Sequence, residues 1–411
     1  MSSEGKSSEG GASAPTSKVD VKLQGKSVVR VYMLDNSTKT LILEPTTTAK
    51  EVSQTLAEKI GLRDSKSSAQ FFALFESKNG VTVNRPLADD ESVLEVVSSW
   101  EPGSKSLLVY QVKLFMNTNM NSDDPKMMYM LYVQAVHHTI TGIYPVDALK
   151  ATKLAAYQVL ARFGPHDPAT HQVGLLTKRL REFVPAPLMA SSKKSAEQWE
   201  ADIYREHEVA SRSVSAGDPN AIAEYAHREY LNLIKEEDFY GCTFFVAKQK
   251  DFAKLPKTIL LGINARGIQI MKVGRKSPYL QFKLSEIYRW GFKPTINFYF
   301  EVKHVTGSGP VYEFDTNEGG LISELLTDYA MALLRELGIT TGDEEAEGAG
   351  AGGEMNDETA AVKIQAAFRG HQLRRDLERE YAAIRVQAVW RGHAERLKFD
   401  KMLTEMEQEL E

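Results

Sequence analysis

Cysteine occurs once in 411 residues, at Cys242. That count excludes a disulfide framework and a thiolate metal cluster, and it points to a reducing compartment. Long apolar runs are also missing. None approaches the roughly 18 residues that a membrane-spanning helix needs. The opening residues, MSSEGKSSEGGASAPTSK, lack the apolar core of a secretory signal, so a cytoplasmic chain is expected. Charge of one sign is not in excess: 50 Lys and Arg face 55 Asp and Glu, a net -5, and no nucleic-acid partner is expected. Catalytic signatures are absent as well. There is no Gly-x-Ser-x-Gly elbow, no Walker loop and no His-Glu-x-x-His. His137-His138 and the pair His166 and His171 are not set among carboxylates at ligand spacing, and Cys242 reads as a small buried hydrophobe. Neither an enzyme nor a cofactor or metal site is expected.

What is present divides along the chain. At about 150 residues per domain, the length suggests two to four domains. Residues 1–26 form a Ser- and Gly-rich leader, expected to be disordered. In 27–112, Val28 to Leu34 and Leu41 to Leu43 flank the polar turn Asp35-Asn36-Ser37 and read as a hairpin. Asn36-Ser37-Thr38 matches a glycosylation acceptor but is taken as part of that turn. Val52, Leu56, Ala57 and Ile60 then mark a helix ending at Gly61. Phe71 to Phe75 and Val93 to Val97 read as returning strands, which completes a ubiquitin-like β-grasp.

Residues 113–235 carry helical spacings, such as Met128, Leu131, Tyr132 and Ala135, punctuated by Gly164-Pro165, Pro185-Ala-Pro187 and Gly217-Asp218-Pro219. This stretch reads as an all-helical lobe. In 236–340 strand signals return from Thr243 to Phe314, followed by an amphipathic helix near Gly320–Leu337. That order describes a pleckstrin-homology or phosphotyrosine-binding (PTB) barrel. Residues 341–357 form an acidic, Gly-rich linker. Its Gly348-x-Gly350-x-x-Gly353 spacing follows no strand and sits between Glu347 and Glu354, so dinucleotide binding is rejected.

The order of β-grasp, helical lobe and PTB-like barrel resembles a FERM module, and the finer landmarks resemble the talin branch. In the second lobe these are Leu131-Tyr-Val-Gln-Ala135, Gly142-x-x-Pro145-Val146, Phe163-Gly-Pro-His166 and Phe183-Val-Pro185. In the third they are Tyr240-Gly-Cys-Thr-Phe-Phe245, Leu260-Leu-Gly262, Ile287-Tyr-Arg-Trp290 and Thr316-Asn-Glu-Gly319. Kindlins and myosin-tail FERM modules are similar but less close. The resemblance implies an α+β three-lobed fold with an acyl-CoA-binding-protein-like second lobe. It also implies an adaptor at the inner face of the plasma membrane, linked to cytoskeleton. It places receptor-tail recognition by strand addition beside Ile296–Val302, with Arg289, Trp290 and Tyr312 on matching positions. Trp290 would offer an apolar face and Arg289 a charged rim; barrel core is the alternative for Trp290. Gly291 stands where the family carries Ala. Anionic lipid is implied for Lys178, Arg179, Arg181, Lys193 and Lys194 in the second lobe, and for Lys248, Lys250, Lys254 and Lys257 in the third. Talins also carry a further ubiquitin-like lobe in front and a long rod behind, so the force-bearing half of their function is not expected here.

The tail, 358–411, holds two IQ motifs at 362–375 and 384–397. The first is Ile364-Gln365-x-x-x-Arg369-Gly370-x-x-x-Arg374 and the second is Val386-Gln387-x-x-x-Arg391-Gly392-x-x-x-Arg396. On a helix, Ile364 with Phe368 and Val386 with Trp390 share a face that fits the pockets of a calmodulin lobe. Gln365 and Gln387 can bond a partner's loop, the glycines permit close approach, and the arginines attract an acidic partner. Residues 359–401 carry ten bases and five acids. Calmodulin or a calmodulin-like light chain is the expected partner. Two further readings stay open: a motor-tail-like cargo module without a receptor role, and an autoinhibited scaffold whose basic tail folds onto an acidic FERM surface.

Overall fold

The structure, a computed structural model, describes residues 20–23, 26–77, 85–214, 217–273, 277–292, 297–304 and 307–336. The acidic linker and both IQ motifs lie outside the described residues. The chain divides into two compact units between Gln281 and Phe282.

The first unit opens with β1 (Asp20–Leu23), a strand within the expected leader. It pairs antiparallel with β2 (Lys26–Tyr32). β3 (Thr38–Leu43) completes the hairpin with β2, in register from Ser27 opposite Leu43 to Tyr32 opposite Thr38. α1 (Ala49–Ile60) starts at a Thr48 cap, where Glu51 N–H donates to Thr48 Oγ1 at 3.3 Å and Glu51 accepts from Thr48 N–H at 2.9 Å. Gly61, at φ +81°, ends it. After the short α2 (Ser65–Ala69) come β4 (Phe72–Ser77) and β5 (Arg85–Pro86). Val93–Ser98 is not the expected strand but a helix, α3. Ser92 caps it through Glu95 N–H, and that local bond outweighs the strand preference of a Val-rich run. The strand that completes the grasp is β6 (Leu107–Val112), buried along its length. It lies antiparallel to β4 and parallel to β2.

The helical lobe follows: α4 (Asn117–Met120), α5 (Pro125–Ile140), α6 (Ala148–Phe163), α7 (Ala186–Ser191), α8 (Ala196–Ser211) and α9 (Pro219–Lys235). Side chains of Asp124, Asp147, Ser195 and Asp218 accept from first-turn amides, and Pro125 and Pro219 occupy positions where no donor is needed. A 3-10 turn, Thr177–Glu182, stands where the approach to Phe183 read as helical. Its core collects Val159, Leu176, Leu180, Phe183, Trp199 and Ile203.

Polar bonds join the lobes. The Gln134 amide brackets Val112, accepting from its N–H and donating to its C=O, both at 2.9 Å. Asp124 accepts from Arg63 N–H at 2.7 Å while capping α5. Gly241, at φ +74°, donates its N–H to Tyr144 Oη at 3.0 Å. A Cβ there would meet Phe115 Cβ at 2.8 Å, which explains the glycine in Tyr240-Gly-Cys242. β7 (Thr243–Gln249), β8 (Thr258–Asn264) and β9 (Gly267–Met271) then form an open antiparallel meander. β10 (Leu280–Lys283) spans the division.

In the second unit, β11 (Ile287–Gly291), β12 (Phe298–His304) and β13 (Gly307–Asp315) form another open antiparallel meander. α10 (Gly319–Glu336) packs on β11 and β12. A Cβ on Gly319 would fall 1.7 Å from the Asn297 carbonyl oxygen, so only glycine lets the helix start so close to that strand.

Candidate functional site

Strand register decides which candidate residues share a face. Trp290 lies opposite Phe300, and Phe300 opposite Tyr312, so these three form one cross-strand row. Arg289, Glu301 and Val311 form the next row, and neighbouring rows point to opposite faces. Trp290 and Tyr312 therefore share a face that Arg289 does not. Trp290 is 2% exposed. Its indole N–H donates to Ser323 O at 3.2 Å and Thr327 Oγ1 at 3.3 Å, both on α10. The expected exposed indole face is corrected: Trp290 packs as core under the helix. Tyr312 is half-buried against Phe282 and Phe300, with ring centroids at 5.2 and 5.3 Å. The Arg289 Nε–H donates to Glu301 Oε2 at 2.5 Å. Because Glu301 is 1% exposed, the guanidinium is the counter-ion of a buried carboxylate. At Gly291 a Cβ would meet the Tyr299 hydroxyl at 3.2 Å, so Tyr299 occupies the space an alanine methyl would need.

The strand expected to receive a peptide also changes. β12, covering most of Ile296–Val302, is paired with β11 on one side and β13 on the other. The terminal strand of the meander is β11, and it is β11 that has the position for strand addition.

The basic residues sort by partner. Arg179 donates to both Glu182 oxygens at 2.8 and 2.9 Å, and with Arg162 it holds the Glu182 carboxyl down to about 2. Lys194 pairs with Asp202 at 2.6 Å, and its Nζ sits 4.7 Å from the Trp199 ring centroid. Lys178, Arg181 and Lys193 are exposed, and no described acid pairs with them. In the other cluster Lys248 is the last residue but one of β7, while Lys250, Lys254 and Lys257 lie exposed on the following loop. Gln249, a residue that sequence reading passed over, organises that loop. It is 5% exposed. Its amide donates to the carbonyls of Phe252, Leu255 and Pro256 at 3.1, 3.2 and 2.9 Å, and its oxygen accepts from Phe252 N–H at 2.8 Å.

Comparison with known proteins gives these lobes a common frame. An RA-like domain model matches residues 25–130, a FERM central domain model 117–245 and an IRS-1-type PTB domain model 245–334. The chain carries a FERM module. Mouse Talin-2 is 26% identical to the chain over 335 residues, which cover 75% of this chain and 13% of Talin-2. The chain thus spans about an eighth of that relative's length. The FERM structure of Drosophila Merlin superposes with a TM-score of 0.60 at 20% identity, covering 75% of this chain and 97% of that one. The MyTH4-FERM MF2 domain of Dictyostelium discoideum myosin VII gives 0.59 at 19% identity, covering 74% and 58%. Both likenesses concern the fold.

Downstream of the FERM module, IQ calmodulin-binding motif models match 358–378 and 380–400. Ile364, Gln365, Phe368, Arg369, Gly370 and Arg374 therefore sit within one matched motif, and Val386, Gln387, Trp390, Arg391, Gly392 and Arg396 within the other. All twelve lie outside the described residues. The matching families include no catalytic one. Among the described residues no helix is long and apolar enough to cross a membrane. Nor does any group of three His, Cys, Asp or Glu residues there suit a metal ion.

Gln249→Ala in the FERM third lobe is expected to cost about 2 kcal/mol, since it strands three carbonyls and an amide. A thermal melt checks the effect, and an unchanged midpoint would show that the loop does not depend on the Gln249 bonds.

Proposed function

We propose that this protein is a talin-like adaptor that joins a receptor tail, an anionic membrane surface and a calmodulin-type light chain. The observation that carries this reading is a talin-related FERM module at 25–334 followed by tandem IQ motifs on one chain. β11 receives the extended tail, typically an Asn-Pro-x-Tyr turn, by strand addition, with Arg289 at the rim. Lys178, Arg181 and Lys193 of the second lobe and Lys250, Lys254 and Lys257 of the third face anionic headgroups. Each contributes about 1 kcal/mol near such a surface, so several together give reversible docking. The light chain takes Ile364 with Phe368 and Val386 with Trp390 into its apolar pockets. The protein then works at the inner face of the plasma membrane, and its link to the cytoskeleton runs through bound partners.

Pulldown on calmodulin beads, with and without calcium, tests the tail. Retention in at least one condition is expected, and failure in both removes the light chain. Fluorescence anisotropy with labelled Asn-Pro-x-Tyr peptides tests the receptor half. Saturable binding to some member of a panel is expected, while no binding across the panel favours a cargo-binding tail.

A further inference from the structure

A groove on the helical lobe carries acidic charge that the adaptor reading leaves unused. It runs between α6, α8 and α9 and holds about 240 Å³. Ala156 and Ala210 are buried in its floor, and Tyr157 and Leu233 are half-buried beside them. Val209 stands 52% exposed on the α8 wall. A small-molecule site ordinarily offers about 300–1,000 Å³, so this volume better suits one or two apolar side chains of a peptide.

Carboxylates ring the groove. Glu206 enters from α8, and Glu229 and Glu236 from α9 and its end. Burial raises the Tyr157 pKa, and Glu229, Tyr225 and Glu206 raise it further, so two of these carboxylates stand near that hydroxyl. Glu229 accepts from Asn232 at 3.2 Å, and no described cation pairs with Glu229 or Glu206. Glu236 is held by Lys150, which also pairs with Glu237. Among the described residues that line the groove, Lys153 is the one cation.

Such a groove fits a segment with an apolar anchor flanked by bases, and the chain carries one. Residues 359–401 hold ten bases and five acids. On a helix, Val386, Trp390, Ala394 and Leu397 would share one face, with Arg391 and Lys398 on one flank and Arg396 on the other. The connection, 337–358, has 22 residues and can reach up to about 70 Å when extended. Attachment on one chain makes the encounter intramolecular, so weak individual contacts suffice.

We propose that the groove between α6, α8 and α9 holds the second IQ segment of the same chain when no light chain is bound, with Trp390 as the apolar anchor and Arg391 and Arg396 facing Glu206 and Glu229. The light chain takes the same side chains, so the Trp390 face serves one partner at a time. Such coupling is reciprocal: what weakens the groove contact tightens the light chain by the same factor. This deepens the light-chain part of the proposed function, on which it rests, because it names the surface from which the light chain draws the tail.

Disulfide trapping in the full chain tests the contact without a light chain. Val209→Cys with Ala394→Cys puts one thiol on the groove wall and one on the Trp390 face, while Cys242 is buried. Mild oxidation is expected to join 209 and 394 within one chain, read by gel mobility and by mass spectrometry of the digest. Adding Trp390→Ala, which leaves the helical lobe untouched, should slow the bridge about tenfold through loss of the anchor. Glu206→Lys with Glu229→Lys should slow it comparably, by turning two attractions at the rim into repulsions. No bridge, or one that forms as fast with Trp390→Ala, overturns the proposal. So does a bridge found only between two chains, which gives the groove to a second copy.

Calmodulin separates this proposal from the reading beneath it. In the calcium condition that retains the chain on calmodulin beads, Glu206→Lys with Glu229→Lys should tighten calmodulin about tenfold. Equal affinity for parent and variant overturns the groove and leaves the light chain standing. A trapped bridge in a chain that calmodulin does not retain keeps the groove and removes the light chain.

Discussion

Trp290→Ala is expected to destabilise the second unit by about 3–5 kcal/mol, the range for deleting a buried aromatic ring. The indole spans the contact between β11 and α10, and its N–H bonds both Ser323 O and Thr327 Oγ1 on the helix. Truncation would leave a cavity under α10 and release those acceptors. Loss of peptide binding in this variant would therefore report unfolding, and it cannot serve as a test of receptor recognition. Chemical denaturation should show an earlier transition, and proteolysis should cut first within 282–336. Gly319→Ala strikes the same joint from the other side, because its Cβ would fall 1.7 Å from Asn297 O and force helix and strand apart. Both variants should behave alike. A Trp290→Ala protein that melts like the parent but loses the tail peptide would restore the indole to the binding face and sink the core assignment.

The two cases show where sequence reading reaches its limit in this chain. The lobes were legible because their periodicities differ: alternation in the hairpin, three- and four-residue spacing from Met128 onward, and Gly and Pro punctuation between. Helix α3 was missed because Val93 to Val97 carries strand-like residues. The signal that could have found it, Ser92 with Glu95 three positions later, is a helix-start pattern. Trp290 was ambiguous for another reason. The family pattern places an aromatic at that position, but the partners that bury it come from α10, 33 and 37 residues away. Gln249 stood unnoticed among lysines, since a polar residue in a charged stretch reads as solvated. Only the fold turns its amide inward onto three carbonyls. The unmet indole N–H of Trp199 likewise appears only when the acceptors around it have been placed.

Acid is expected to loosen the helical lobe through its buried histidines. His207 is fully buried, and its Nε2–H donates to Gly164 O at 2.8 Å. The carbonyl can only accept, so the neutral ring carries its proton on Nε2 and leaves Nδ1 bare, buried and without a partner. Protonation would place a cation there, facing His166 and His171 at centroid distances of 5.4 and 5.0 Å and the Tyr204 ring at 6.5 Å. Burial therefore pushes the His207 pKa down to about 4. Burial also lowers His138 to about 3 and His227 to about 4. His171 is lowered by burial and by His166, and its Nδ1 is already occupied by the Asp167 N–H.

A depressed folded pKa stabilises the fold above the unfolded value, near 6.5 for histidine, and that contribution is lost as pH falls from there toward the folded value. At pH 5 the loss from His207 alone is about 2 kcal/mol, with His138 and His227 acting in the same direction. Urea denaturation at pH 7.5 and pH 5.0 should show the midpoint fall. His207→Gln, which can still donate to Gly164 O but does not titrate, should flatten the dependence by about that amount. A His207→Gln protein with the parent's full pH dependence would place the acid sensitivity elsewhere in the lobe.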